Sequence, residues 1–180
     1  MRTLKYAILG LINRKPITGY DITKEFNNSL VNFWYAKHSQ IYPELKRLTD
    51  EGLISFETII QGEKLEKKLY TITDDGRKAL QKWLEKDDPL EPTPKDIFRL
   101  KVYFCDEMDS ETLLRQFKNA HSKHLEKLEY LNSYMKELLK TTDISKPSSK
   151  GFGDYIVLKG AIMREKTYVQ WIEDCLNMIK

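Results

Sequence analysis

KHSQIYPELKRL, residues 37–48, decides how the first half of this chain is read. Ile41, Leu45 and Leu48 recur at the spacing of one helical face. On a wheel of about 100° per residue with Ile41 at the origin, Leu45 and Leu48 fall at roughly 40° and 340° and define an inner face. Ser39, Lys46, Asp50 and Pro43 land between about 140° and 200° and point outward. Gln40 and Arg47 flank them near roughly 250°, and Tyr42 stands on the other side near roughly 100°. Pro43 is compatible with a helix that has only just begun. With Ser39 as the cap, no preceding turn exists for its ring to disrupt, and at most one intrahelical hydrogen bond is lost. The stretch predicts a helix that starts abruptly, anchors on three apolar residues and presents a polar face.

Two further helices precede it. Residues 4–13 carry Leu4, Ala7, Ile8 and Leu11 at helical spacing and stop at Pro16. No small-residue cleavage site follows this short apolar run, so it reads as an amphipathic first helix rather than a signal peptide. TGYDITKEF follows, with Thr18 placed to cap a helix over residues 19–26, Asp21 three residues on, and Tyr20, Ile22 and Phe26 expected to pack inward. NNSLVNFWY reads as a loop with an aromatic cluster. After residue 48, Gly52 can end the helix, and the apolar period changes. LISFETII and KKLYTIT are β-type runs, and QGEKLEK between them is a hairpin tip. TDDGRKALQKWL then opens another helix, with Thr73 or Asp74 as its cap. The order is three helices, a β-hairpin and a fourth helix, all within residues 1–86.

EKDDPLEPTP, residues 85–94, is the clearest boundary in the chain, with its prolines and acidic residues. Residues 87–180 read as helical throughout. After a short helix in KDIFRLKVYF comes one over residues 110–140, about 46 Å long at 1.5 Å per residue. Its positions 114, 117, 121, 124, 128, 131, 135 and 138 hold Leu, Phe, His, His, Leu, Leu, Met and Leu, a heptad spacing. The last helix repeats the spacing at 155, 158, 162, 165, 169, 172, 176 and 179, with Glu165 the one charged occupant. These seams predict two long antiparallel helices. Tyr130, Tyr134, Ile156, Tyr168 and Trp171 lie off them and also need covering, which points to a homodimerisation arm around a two-fold axis. A monomeric helical domain packed on the first half is the competing reading.

The composition excludes several classes. No apolar run is long enough for a membrane span. Cys105 and Cys175, far apart and outside any CxxC, imply a reducing compartment, hence the cytoplasm. No glycine-rich phosphate loop, GxSxG or HExxH occurs, so nothing calls for an enzyme or a cofactor. His121 and His124 share one helix face at a chelating spacing, yet Phe117 and Leu128 flank them and no third ligand completes a metal site there. The net charge of +3 is unevenly spread. Residues 1–86 hold 15 Lys and Arg against 11 Asp and Glu, and residues 87–180 hold 15 against 16. A polyanion would bind the first half.

Three helices and a hairpin are the order of a winged helix-turn-helix. There the second helix of the pair lies in the DNA major groove with its N-terminal residues at base edges. Residues 37–48 supply that chemistry. Gln40 can read adenine bidentately, Lys46 and Arg47 can reach guanine or phosphate, and Ser39 can take a phosphate. Lys64, Lys67 and Lys68 make a basic wing for adjacent phosphates or the minor groove. A solvated charge run alternating with Glu63 and Glu66 is the alternative reading of that wing.

YAILGLI, ITGYDI, FW, HSQIYPELKRLTDEGLI and KKLYTITDDGRKAL resemble the PadR family of bacterial transcriptional regulators. FGDYIVLKGAIMREKTYVQWI extends the likeness over nearly the whole chain, toward the long-armed members that respond to phenolic acids. The resemblance implies a homodimer with an N-terminal winged helix and a C-terminal helical dimerisation domain. It implies repression of a phenolic acid decarboxylase gene, relieved by hydroxycinnamic acids such as p-coumarate. Operator contacts are then expected from His38, Ser39, Gln40, Tyr42, Pro43, Lys46 and Arg47 and from the Lys64–Lys68 wing. A flat aromatic acid needs apolar walls and a cation. Arg164 suits its carboxylate, Trp34, Leu128, Tyr155 and Tyr168 its ring, and Asp154 its phenol hydroxyl. The competing reading makes these aromatics helix-packing core and pairs Arg164 with an acidic side chain. A regulator of this scaffold that answers a drug or no ligand, or a winged helix used for protein contacts, are the alternative functions.

Overall fold

The computed structural model describes residues 2–28, 30–61, 65–149 and 151–179, and divides into two compact units, residues 1–90 and 91–180. The first unit contains α1 (Thr3–Arg14), β1 (Ile17–Thr18), α2 (Gly19–Asn28), a 3-10 turn at Leu30–Asn32, α3 (His38–Asp50), β2 (Ile54–Gln61), β3 (Leu65–Ile72) and α4 (Asp74–Leu84). The expected hairpin is present, with β2 and β3 antiparallel from Ile54 opposite Ile72 to Gln61 opposite Leu65. A third strand was not foreseen. β1 is only two residues long and pairs antiparallel with β3, giving the sheet order β1-β3-β2.

α1, α2 and α3 form the body of this unit because each turns one apolar stripe inward. Ile8, Leu9 and Ile12 from α1, Ile22 and Phe26 from α2, and Ile41, Leu45 and Leu48 from α3 are all at most 2% exposed. Burying each such side chain contributes about 1.5–3 kcal/mol. Thr18 caps α2 as expected: its hydroxyl accepts from the Asp21 amide at 3.2 Å and donates to the Asp21 carboxylate at 2.7 Å. Tyr20 departs from expectation. It is 65% exposed and faces away from the core.

The start of α3 also differs from expectation. Lys37, with extended backbone, is the N-cap, so Ser39 is the second helical residue rather than the cap. Pro43 consequently lies in the second turn. It forgoes one bond, the one its missing N–H would have made to the Ser39 carbonyl, and the inner face holds the helix regardless.

α4 is locked down at both ends. Thr73 caps it, accepting from the Gly76 amide at 3.1 Å. A Cβ on Gly76 would stand 2.1 Å from the Leu53 carbonyl oxygen, so only glycine lets the first turn of α4 approach the start of β2. Further along, Trp83 stacks on Tyr6 of α1 at 4.8 Å, and Arg77 donates to Asn13 at 2.7 Å. An ion-pair cluster ties α1 to α3. Arg2 donates to Glu44 at 2.8 Å and to Glu51 at 2.6 Å, and Lys5 reaches Glu51 at 3.0 Å. The hydrogen bond from Arg2, helped by Lys5, holds the Glu51 carboxyl at a pKa of about 2.

The second unit contains α5 (Ile97–Tyr103), a 3-10 turn at Cys105–Glu107, α6 (Ser110–Thr141) and α7 (Phe152–Ile179). Asp96 and Asp109 cap α5 and α6, accepting from the amides of Arg99 and Thr112 at 3.0 and 2.7 Å. α6 and α7 pack on each other along the two heptad seams, and none of the sixteen seam residues is exposed. Leu131, Leu158, Ala161 and Ile162 form one apolar cluster, and Phe117, Ala120 and Ile172 another. A polar layer separates them. His121 bonds Glu173 at 2.9 Å, His124 bonds the buried Glu165, and Lys127 lies 3.4 Å from Glu165. Each histidine therefore has a glutamate of α7 as partner. Among the described residues no group of three or more His, Cys, Asp or Glu is placed to hold a metal ion. No described helix is long and apolar enough to cross a membrane.

Two outcomes are expected of this fold. Gly76→Ala should lower stability to urea by about 1–3 kcal/mol, since the clash is with backbone that cannot swing away. A neutral effect would mean that α4 does not seat against Leu53. Because the folded-state pKa of Glu51 lies below its ordinary value of 4.5, its contribution is present above about pH 4.5 and lost as the pH falls toward 2. Glu51→Gln should therefore cost under about 1 kcal/mol at pH 7, the range of a partly exposed pair. The difference from wild type should shrink in urea titrations from pH 5 to 2, and a constant difference would contradict the pairing.

Candidate nucleic-acid interface and effector cleft

With Ile41, Leu45 and Leu48 buried, the opposite side of α3 faces solvent. His38, Ser39, Gln40, Tyr42, Pro43, Lys46 and Arg47 are all exposed, as the wheel implies. Several of them are also held in place. The His38 ring lies 5.6 Å from the Tyr42 ring. Gly19, at the start of α2, closes on Tyr42 so tightly that a Cβ there would stand 2.9 Å from the phenol ring. Arg47 sits 3.9 Å from Glu44, which is 3% exposed and already bonded to Arg2.

Gln40 has an intramolecular task. Its side-chain oxygen accepts from the Lys37 amide at 3.1 Å, while its own amide donates to the Lys37 carbonyl at 2.9 Å. That is the reciprocal half of a capping box, satisfying an amide the helix start would otherwise leave unpaired. Lysine at the cap position hides the usual Ser/Thr-x-x-Gln signature. Glu44 was missed for a related reason, since a charged residue beside the apolar stripe gives no sign of a buried partner.

Two of the three lysines expected at the hairpin tip lie within a strand instead. Lys67 and Lys68 both belong to β3, on opposite faces because successive strand residues alternate. Lys64 lies outside the described residues. Between α3 and the hairpin runs a groove of about 810 Å³. Tyr42 and Lys46 line it from α3, Tyr20 from α2, and Phe56, Lys68 and Tyr70 from the sheet. Burial raises the Tyr70 phenol above its ordinary pKa.

In the second unit a cleft of about 670 Å³ opens beside α7. Arg99, Met163, Arg164, Thr167, Tyr168 and Trp171 line it. Tyr168 is its best-fixed member. The phenol ring stacks on His124 at 4.1 Å, meets Trp171 edge-on at 5.2 Å, and donates its hydroxyl to Asp96 at 2.6 Å. Burial and the neighbouring Asp96 push the Tyr168 phenol well above its ordinary pKa. Burial alone would raise the Asp96 carboxyl. The hydrogen bonds from Tyr168 and Arg99 outweigh it and hold the group below its usual value. The cleft brings Arg164 and Arg99, the latter bonded to Asp96 at 3.0 Å, beside the rings of Tyr168 and Trp171; cations next to aromatic walls suit a flat anionic ligand.

The expected effector residues do not all meet there. Arg164 and Tyr168 do. Leu128 packs against the cluster around Leu131 and Leu158. Asp154 and Tyr155 stand in the first turn of α7, roughly 14–15 Å along the helix from Arg164, where the charge of Asp154 complements the helix dipole. The Tyr155 ring lies 5.9 Å from the Lys159 ammonium. Trp34 belongs to the first unit, tilted against Phe26 at 5.7 Å. Sequence reasoning missed Arg99. It is remote in sequence from Arg164, and only the packing of α5 beside α7 joins them.

Comparison with known proteins matches this geometry to a family. Residues 8–82 match the model of the transcriptional regulator PadR-like family, and residues 94–180 match that of the virulence activator alpha C-terminal region. The chain is 49% identical to the negative transcriptional regulator PadR of Bacillus subtilis over 179 residues, covering 99% of this chain and 98% of that protein. The crystal structure of Bacillus subtilis PadR in complex with operator DNA superimposes with a TM-score of 0.93 at 48% identity, over 100% of this chain and 99% of that one. Its complex with p-coumaric acid gives 0.85 at 45% identity, over 99% of both chains. The chain belongs to the PadR-like family of transcriptional regulators.

Proposed function

We propose that this chain is a homodimeric transcriptional repressor of a phenolic acid decarboxylase gene. Residues 1–86 bind a palindromic operator, and residues 87–180 form the dimer and respond to a hydroxycinnamic acid that releases the DNA. The observation that carries this reading is the whole-length likeness to Bacillus subtilis PadR, which has been solved with operator DNA and with p-coumaric acid. The site of action is the cytoplasm, where the operator lies.

On the DNA side, His38, Ser39, Gln40, Tyr42, Pro43, Lys46 and Arg47 are the proposed groove-facing set, and Lys64, Lys67 and Lys68 the proposed wing contacts. The cap bond of Gln40 uses its side-chain oxygen, so base reading by Gln40 requires that bond to be exchanged for one to adenine. Lys46 has no such conflict and is the stronger candidate for a phosphate or guanine contact. On the effector side, Arg164 would take the carboxylate with Arg99 beside it, and Tyr168 and Trp171 would wall the ring. Trp34, Leu128, Asp154 and Tyr155 complete the proposed effector set. Tyr130, Ile156 and Met163 are 50–59% exposed on the long helices, which favours a second copy covering them.

Release by ligand requires that the ligand bind the DNA-free form more tightly than the DNA-bound one. Two measurements test the assignments. Binding of a palindromic duplex from upstream of a decarboxylase gene should weaken steeply with salt, and Lys46→Ala should reduce the log–log slope by about 0.9 for each phosphate the lysine neutralises. Failure to retain such a duplex at low salt would sink the reading. In calorimetry with p-coumarate, Arg164→Ala should weaken binding by about tenfold or more, the worth of a charged hydrogen bond. Unchanged affinity would remove Arg164 from the site.

A further inference from the structure

The wing carries an aromatic ring that the core does not use. On one face of the hairpin, Ile54, Tyr70 and Ile72 are buried at 2–7% exposure, whereas Phe56 is 39% exposed although it pairs directly with Tyr70. The Phe56 ring lies tilted at 59° to Tyr70, 5.8 Å away. On its open side it meets the Lys68 ammonium, 4.0 Å from the ring centroid. That is well inside the range of a cation–π contact. The register explains how they meet. Lys68 precedes Tyr70 by two residues on β3, so it is the diagonal neighbour of Phe56 on the same sheet face, within reach of a long side chain. A looser version stands nearby, with the Lys67 ammonium 5.8 Å from the Tyr20 ring centroid.

We propose that Phe56 is a positioning residue for DNA binding. It holds the Lys68 ammonium at the edge of the groove between α3 and the hairpin, where the sugar–phosphate edge of one DNA strand is seated. Charge and shape both favour that occupant. Lys46, Lys67 and Lys68 outnumber Asp50 and Glu66 along a groove whose walls include Tyr20, Tyr42 and Phe56, and a nucleic-acid strand alternates phosphates with apolar sugar faces. A single aromatic acid would engage only one of the three cations. A lysine with four free torsions must be ordered before it can meet a phosphate. Resting on Phe56, Lys68 is largely ordered beforehand. The inference rests on the assignment of α3 and the wing to DNA.

The test uses the full chain and a palindromic operator duplex, followed by fluorescence anisotropy over a series of salt concentrations. Lys68→Ala should weaken binding and reduce the salt slope by about 0.9 for each phosphate the lysine neutralises. Phe56→Leu should weaken binding by about two- to fivefold at low salt, the worth of an exposed cation–π contact. Phe56→Tyr, which keeps the ring, should bind as wild type does. On the Lys68→Ala background, Phe56→Leu should add nothing, because its effect passes through the lysine. Equal binding by Phe56→Leu and wild type, or losses that multiply in the double variant, would overturn the proposal. Absence of salt-dependent duplex binding by the wild type would instead overturn the DNA-binding assignment. A measurement on the folded wild type covers the case in which Phe56→Leu does not fold. The Lys68 ε-methylene protons should show an upfield ring-current shift by NMR, and ordinary lysine shifts would refute the contact.

Discussion

A recognition helix has to be held against rotation about its own axis, because about 100° of turn replaces every residue it presents. In α3, the proposed recognition helix, three fully buried side chains, Ile41, Leu45 and Leu48, fix that angle. Glu44 adds a directional restraint to an apolar one. Buried beside the stripe and bonded to Arg2, it ties the helix to the start of α1, and Glu51 repeats the tie just past the end of the stripe. A buried carboxylate is costly without its partner, so rotating α3 would both expose leucine and strand a charge. The exposed set from His38 to Arg47 is a consequence of that anchoring. Pro43 is tolerated on the same terms, since its missing hydrogen bond is small beside the burial on the opposite face.

The second unit applies the same logic to a longer object. Two helices of about eight turns, joined by their seams alone, could slide by a heptad at modest cost. The layer of His121, His124 and Lys127 against Glu165 and Glu173 penalises that slip, because Glu165 is buried and would lose both neighbours. The layer also places Tyr168, whose ring stacks on His124 and whose hydroxyl reaches the cap of α5. Arg99 is thereby brought beside the same face of α7 as Arg164. A cleft with two guanidinium groups follows from the helix pairing and needs no dedicated loop.

Much of this was legible in the sequence, for identifiable reasons. Amphipathic spacing is a local and strongly repeated signal, so the outward face of α3, the seams of α6 and α7, the hairpin and the Thr18 and Thr73 caps could all be read directly. What escaped reading depends on contacts between distant residues or on atypical local chemistry. β1 is too short to show a period and exists only because β3 offers it an edge. Tyr20 was expected inside on hydropathy, but its phenol ring takes an outer wall of the groove. Gln40 caps a helix behind a lysine, which shifted the expected start of α3 and left Ser39 inside it. Arg99 joins Arg164 only through the packing of α5, and no spacing rule connects residues so far apart. Of the expected effector residues only Arg164 and Tyr168 line the α7 cleft, and sequence alone could not single them out, because aromatic residues in a helical hairpin carry the same pattern whether they pack a core or wall a ligand.

The central claim is that one chain binds operator DNA and a phenolic acid in mutually opposed ways. Linkage makes that claim measurable from either side, since a ligand that weakens DNA binding must itself be bound less tightly when DNA is present. The most direct measurement is the affinity of the full chain for p-coumarate with and without a saturating operator duplex. The expected result is a lower affinity for p-coumarate on the DNA-bound protein, matched by the same factor of loss in operator affinity when p-coumarate is saturating. Equal p-coumarate affinities in the two states, with operator binding intact, would contradict it.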